Sequence, residues 1–162
     1  MREKENPKSK DTEDQIKILS KSVELSNDAI ITINLDGIIT SWNRGAELIY
    51  GYSAKEILGM SIAVLDPQTL VGETKELNEL IKFEEQINNY ETLRIRKDNE
   101  IINISLTLSP ILDDSENLIA ILIISRDITK SKKSEEKLMK SEELYRIVTE
   151  QTGQVVYNYI YL

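Results

Sequence analysis

The side chains that most often do covalent or metal chemistry are missing from this chain, whose 162 residues include no Cys and no His. Without Cys there are no disulfides, thiolate metal sites, iron–sulfur clusters or cysteine nucleophiles. Without His, the commonest metal ligand and general base is gone, and so is any phospho-accepting histidine. Carboxylates remain, and Glu84-Glu85 and Asp113-Asp114 are the adjacent pairs to consider for acid–base work. Both fall in or beside predicted turns or helix ends, where carboxylates are solvated, so the chain reads as non-catalytic, with no metal set. The six Gly are scattered singly and form no phosphate-cradling loop.

Composition bounds the rest. Hydrophobic residues make up 40% and charged residues 30%, the balance of a globular chain long enough for one full core plus connecting helices. The net charge of −8 with no dense basic patch sets nucleic acid aside, because phosphate-backbone binding would begin from repulsion. Arg2, Lys4, Lys8 and Lys10 precede no apolar run, so neither a signal peptide nor a membrane anchor is expected, and the expected location is cytoplasmic.

The elements follow from periodicity. Residues 1–14 read as a polar leader, and residues 15–28 as a flanking amphipathic helix carried by Ile16, Leu19 and Val23 and stopped at Ser26-Asn27-Asp28. Ala29 to Asn34 and Ile38 to Thr40 read as strands joined by a tight Asp36-Gly37 hairpin turn. A helix follows with Ala46, Ile49 and Tyr50 on one face and Gly51 as its stop, then a second opened by a Ser53–Glu56 capping box and ended by Gly59. A third helix is predicted from Leu70 to Phe83.

Beyond Asn89 the period returns to two, with Leu93 and Ile95 alternating with Thr92, Arg94 and Arg96. Past a turn at Lys97 to Glu100, Ile102, Ile104, Leu106 and Leu108 alternate with polar residues. After a turn at Asp113 to Asn117, Leu118 to Ile124 is apolar throughout, as in a central strand covered on both faces. The helix around Ile16 to Val23, the following linker or a second copy of the chain are the candidates for that outer cover. From Thr129 to Glu150 the chain is charged, with Leu138, Tyr145 and Val148 spaced as a thin seam, either a surface helix or one strand of a coiled coil.

The end of the chain repeats its beginning. Leu19 to Asn34 lies without gaps on Leu144 to Tyr159, so that Leu19 meets Leu144, Val23 meets Val148 and Ile30-Ile31 meets Val155-Val156. Four motifs occur in order: Asp28-Ala29-Ile30-Ile31-Thr32-Ile33-Asn34 with Asp36-Gly37; Ile39 to Ala46 continued by Tyr50-Gly51-Tyr52-Ser53 and Glu56 to Gly59; Leu108-Ser109-Pro110-Ile111; and Ser125-Arg126-Asp127-Ile128-Thr129. Together they resemble the PAS domain, a PAS/PAC sensor module strung in tandem in signal-transduction proteins, with a sensor histidine kinase as the expected host. The sequence departs from the family at Asp98-Asn99 and Glu116-Asn117, where Asn stands in place of a frequent Gly; Asn tolerates positive φ.

The resemblance implies an α+β fold, a five-stranded antiparallel sheet with short helices on one face, flanked by N-terminal and C-terminal amphipathic helices. It divides the chain into the leader (1–14), the flanking helix (15–28), the sensor domain (29–129), a helical signalling linker (130–150) and the start of a truncated second domain (151–162). It also implies a ligand or cofactor pocket between sheet and helices. Haem held by His and a flavin–cysteine adduct are excluded by composition, which leaves non-covalent flavin or a small metabolite. Trp42 is either a ligand contact or packing, and Asn43 a helix cap. Asn103, Ser105 and Thr107 line a polar pocket if they face inward, and otherwise form a solvated or partner-facing side. Arg126, Asp127, Ile128 and Thr129 form the expected signal relay, with the Asp127 carboxylate holding the strand-to-helix junction through a salt bridge or a backbone hydrogen bond.

Two functions stand. One is a sensory module that binds a small ligand, or dimerises through its flanking helices or sheet face, and relays that state to a C-terminal effector. The other is a ligand-free dimerisation or spacer module in a tandem array. A pocket with convergent polar groups favours the first, and a core filled by side chains the second.

Overall fold

The computed structural model describes residues 7–82 and 86–160. The chain divides into two units, Met1–Asp127 and Ile128–Leu162.

In the first unit, helix α1 spans Pro7–Glu24 and so begins earlier than the sequence pattern indicates. Pro is suited to the first helical position, where its missing N–H has no intrahelical partner to lose, and the Lys and Glu residues that follow are good helix formers. The apolar side of α1 is not packed into the unit: Ile16 is 60% exposed and Leu19 67%.

Five strands, β1 (Ala29–Ile33), β2 (Ile39–Trp42), β3 (Ile87–Ile95), β4 (Ile101–Leu112) and β5 (Leu118–Asp127), pair antiparallel in the order β2-β1-β5-β4-β3. The expected sheet is present, and β5 lies at its centre, as its unbroken apolar run requires. Pro110 pairs with Ile121 of β5, beyond the last β3 partner of β4 at Leu108. A residue without an N–H is tolerated there because no third strand needs its donor.

The three hairpins share one construction. In each, a residue donates its N–H to a carbonyl four positions on: Asn34 to Ile38, Arg96 to Glu100 and Asp113 to Asn117, all at 2.9 Å. The third residue of each three-residue loop is left-handed: Gly37 (φ 78°), Asn99 (φ 68°) and Glu116 (φ 62°). The Asp36-Gly37 turn is thus one residue longer than the tight turn expected. In the third hairpin Glu116, not Asn117, occupies the position that favours Gly.

On one face of the sheet lie α2 (Arg44–Tyr50), α3 (Ala54–Ile57), 3-10 turns at Ile62–Leu65 and Gln68–Leu70, and α4 (Glu73–Leu80). Gly51 (φ 79°) ends α2 as expected, and Glu56 accepts from the Ser53 N–H at 2.9 Å, the predicted capping interaction of α3. The helix predicted over 70–83 is shorter, because Gly72 is left-handed (φ 96°) and starts α4 afresh. The core between these layers includes Ile31, Ile104 and Ile121 from the sheet and Ala46, Tyr50 and Ile57 from the helices, each at most 1% exposed.

The sheet's other face is less covered than the sequence implies. Ile30, Leu122 and Ile124 are only half-buried, and α1 does not bury its apolar residues on them.

The second unit is one helix, α5 (Thr129–Ile160). The stretch 151–160, expected to open a second domain with a strand at Val155-Val156, is helical instead. A lone strand leaves its backbone groups unpaired, whereas a helix pairs them internally. Leu138, Tyr145 and Val148 are 60%, 72% and 52% exposed. No helix among the described residues is long and apolar enough to cross a membrane.

Candidate functional site: a polar cavity under the sheet

Polar burial is the informative departure in a core. Among the described residues, the buried polar side chains are Asn43, Thr74, Arg94 and Ser125, and the last three line one cavity. Ile31, Leu65, Leu77, Leu106, Leu108 and Ile123 supply its apolar wall, with Tyr50 and Asn78 at its polar side. The free space within it is about 20 Å³, enough for about one water molecule.

Arg94 reaches this cavity because β3 turns its polar row inward. Thr92 and Arg94 share the face toward the helices, and Leu93 and Ile95 take the other. The guanidinium is only 4% exposed by residue and is met by carboxylates from two segments of the helical layer. Its Nη1 lies 2.5 Å from Glu73 Oε2 and 3.7 Å from Asp66 Oδ1. Thr74 donates its hydroxyl to Asp66, Thr92 donates to Glu73 at 2.7 Å, and the Tyr90 hydroxyl donates to Glu73 at 3.0 Å. Burial pushes the Glu73 carboxyl up, but the bonds from Arg94 and Thr92 outweigh it and hold the group below the usual range. Burial pushes the Tyr50 hydroxyl up to about 12, so it stays a neutral donor. Two polar atoms in the wall, Ser125 Oγ and Asn78 Oδ1, make no protein hydrogen bond of good geometry, although the Tyr50 hydroxyl faces Ser125.

The residues singled out from sequence lie elsewhere. Trp42 is 6% exposed, donates its Nε1–H to the Tyr52 carbonyl at 3.0 Å and tilts against Tyr50 at 5.5 Å between ring centroids, so it packs beside the cavity without lining it. Asn43 caps α2: its Oδ1 accepts from Ala46 N and Ile30 N, both at 2.9 Å, while Nδ2 donates to Val23 O and Asp28 O. Asn103, Ser105 and Thr107 sit half-buried on the sheet face away from the cavity, because Ile102, Ile104, Leu106 and Leu108 take the inward positions of β4. Glu84 and Glu85 lie outside the described residues. Asp113 organises the β4–β5 turn, where the Asn117 N–H holds its carboxyl below the usual range. No set of Asp and Glu among the described residues is arranged to hold a metal ion.

The end of β5 is pinned on both sides. Arg126 makes a forked pair with Asp28, Nε to Oδ1 at 3.1 Å and Nη2 to Oδ2 at 2.7 Å. Asp127 Oδ2 lies 2.7 Å from Nη2 of Arg96, the residue that follows β3. Ile128 then supplies the carbonyl that accepts from Lys132 N at 2.9 Å, and Thr129 is the first residue of α5. Asp28 is itself fixed, since a Cβ on Gly45 would come within 2.2 Å of its carbonyl oxygen, a closeness only Gly permits.

Sequence reasoning missed Tyr50, Thr74, Asn78, Arg94 and Ser125 as cavity residues. For Ser125 the signal was present: it lies two and four residues past Ile123 and Ile121 on a strand of period two. Arg94 gave none, because its inward turn depends on Glu73 and Asp66, distant in sequence.

Comparison with known proteins agrees with this geometry. The Blue-light photoreceptor of Listeria monocytogenes serovar 1/2a is 30% identical over 135 residues, covering 78% of this chain and 51% of that protein. The Signal transduction histidine-protein kinase AtoS of Escherichia coli strain K12 is 26% identical over 124 residues, covering 75% of this chain and 20% of that protein. The chain thus spans about half of one relative and a fifth of the other. Among solved structures, the PAS domain of a protein from Colwellia psychrerythraea superposes with a TM-score of 0.67 at 29% identity, covering 72% of this chain and 98% of that one. The family model described as PAS domain matches residues 27–130, most of the chain, and on this evidence the chain belongs to the PAS domain family.

Proposed function

We propose that this chain is a non-catalytic sensory module of a cytosolic signalling protein, and that it passes the state of its cavity through β5 to α5 and on to an effector, a histidine kinase being the expected one. The observation that carries this reading is the course of β5. Ile123 and Ser125 line the cavity, Asp127 two residues on is clamped by Arg96, and α5 starts at Thr129. A guest that shifts the strand at Ser125 alters the clamp within one strand repeat, and the clamp borders the helix. The relatives named as a histidine kinase and a photoreceptor are signalling proteins, which supports the reading. The match of Leu19–Asn34 to Leu144–Tyr159 supports a tandem array in which the linker at 130–150 leads to a further copy.

Ligand pockets for cofactor-sized molecules run to roughly 300 Å³ or more. Free space near 20 Å³ therefore tells against non-covalent flavin, and a ligand larger than water enters only if the lining side chains move aside. An absorption spectrum and native mass spectrometry on one sample test this: the reading expects no visible band, and a flavin band contradicts it. Asp127→Ala in the signalling protein is expected to change output without unfolding the domain, and unaltered signalling contradicts the relay.

A second reading, the dimerising spacer, is favoured by the apolar residues exposed on α1 and α5 and by the half-covered sheet face. Light scattering of the native chain decides it, since a dimer weakened by Leu19→Glu supports this reading and a monomer does not.

A further inference from the structure

We propose that the cavity lined by Ser125 and Asn78 is the seat of a compact uncharged molecule bearing a hydroxyl or a primary amide, and that it rejects carboxylates and phosphates. This rests on the sensory reading of the cavity and specifies what it senses.

Ser125 is the first indication. It is fully buried on the inward side of β5, directly after Ile121 and Ile123, where an apolar side chain would complete the core. Its hydroxyl makes no protein hydrogen bond of good geometry, although the Tyr50 hydroxyl faces it, and folded proteins ordinarily avoid such an arrangement. Asn78 Oδ1 lies in the same wall, also buried and unpartnered, and as a carbonyl oxygen it can only accept. A guest must therefore donate to Asn78, while Ser125 can either give or take. Hydroxyls and primary amides meet that demand, whereas an aliphatic molecule leaves both atoms bare.

Charge narrows the class. Arg94 is the cation in the wall, but Glu73 at 2.5 Å and Asp66 at 3.7 Å already answer it. One guanidinium against two carboxylates leaves the cluster with a net negative charge, so an incoming anion meets repulsion and must also shed its water. A cation gains little, because Thr74, Thr92 and Tyr90 already donate to those carboxylates. Size completes the argument. The free space of about 20 Å³ admits a guest of a few heavy atoms only when neighbouring side chains such as Leu77 move aside.

Acetamide and acetate are near-isosteric and differ in charge, so they serve as the probes. The native chain, labelled with nitrogen-15, is titrated with each while backbone amides are followed by NMR. Acetamide is expected to shift the amides of Leu77, Asn78 and Ser125 saturably, and acetate at the same concentration to leave them in place. Ser125→Ala, which removes only the hydroxyl oxygen and adds no bulk to the cavity, is expected to weaken acetamide binding at least fivefold; Asn78→Leu, which removes the acceptor at similar volume, serves if that variant does not fold. The proposal is overturned if acetate binds as well as acetamide, if neither gives a saturable shift, or if the folded variant binds acetamide unchanged. The relay is read separately, at the amides of Ile128 to Lys133. Saturable shifts at Ser125 with a silent α5 leave the seat standing and remove the relay. An α5 that responds to Asp127→Ala without acetamide binding does the reverse.

Discussion

Arg94→Met puts the buried charge cluster to the test. The Arg94 side chain is 5% exposed, and its partners Asp66 and Glu73 are 3% and 14% exposed. Removing one partner of a buried pair costs about 3–5 kcal/mol because the remaining charge is left without compensation. Here the two stranded carboxylates keep hydrogen bonds from Thr74, Thr92 and Tyr90, which places the expected loss near the lower end, about 3 kcal/mol. The loss should depend on pH. In the native chain Glu73 titrates below its ordinary 4.5, so the stability it adds is complete above that value and drains away as pH falls through its folded one. In the variant the Arg94 bond that holds Glu73 ionised is gone, so protonation relieves its burial, and the difference between the two chains shrinks in acid. Urea unfolding followed by the fluorescence of Trp42, the single tryptophan, measures both quantities at pH 7 and pH 4. Arg94→Lys, which keeps the charge and loses the planar fork, should fall between the two. A loss at pH 7 within about 1 kcal/mol, the size of an exposed pair, or one that does not shrink at pH 4, refutes the inward turn of β3.

Glu116→Gly is expected to stabilise the domain by about 0.5–1 kcal/mol: the left-handed backbone costs a side-chain-bearing residue about 1–2 kcal/mol, and the greater freedom of Gly in the unfolded chain takes part of that back. Thermal melts check this, Asn99→Gly should change little, and a destabilised Glu116→Gly contradicts the shared hairpin geometry. Asn43→Ala should cost about 3 kcal/mol, more than the roughly 1 kcal/mol of an ordinary cap, because its amide serves four backbone groups at 2% exposure; a loss near 1 kcal/mol in urea unfolding means that those bonds add nothing beyond the cap.

The elements that were legible in the sequence are those whose signal is local. Strand periodicity placed β4 and β5, the Gly51 stop and the Ser53–Glu56 cap placed the short helices, and the ordered motifs pointed to the family. What was not legible depended on distant partners. The pattern of β3 reads as apolar Leu93 and Ile95 against polar Thr92 and Arg94. Only Glu73 and Asp66, on segments 20 or more residues away, make the polar side the inner one. The polar row Asn103, Ser105 and Thr107 drew attention because it alternates cleanly, yet alternation alone does not say which side a cavity lies on. At 151–160 the residues that align with the first unit's opening strand are helical, because an apolar β-branched run does not by itself fix strand over helix.

In the proposed relay the cavity and α5 communicate through β5 and the Asp127–Arg96 clamp. Amide hydrogen exchange over Ile128 to Lys133 tests it in the native chain, in Ile123→Val, in Asp127→Ala and in the double variant. Ile123→Val removes one methylene from the cavity wall on β5, a change costing about 0.5–1.5 kcal/mol that leaves the domain folded. Ile123→Val is expected to alter exchange in the first turns of α5, and the alteration to disappear once Asp127 is Ala. Exchange in α5 that ignores Ile123→Val, or that responds equally with and without the Asp127 carboxylate, rules out a relay through this clamp.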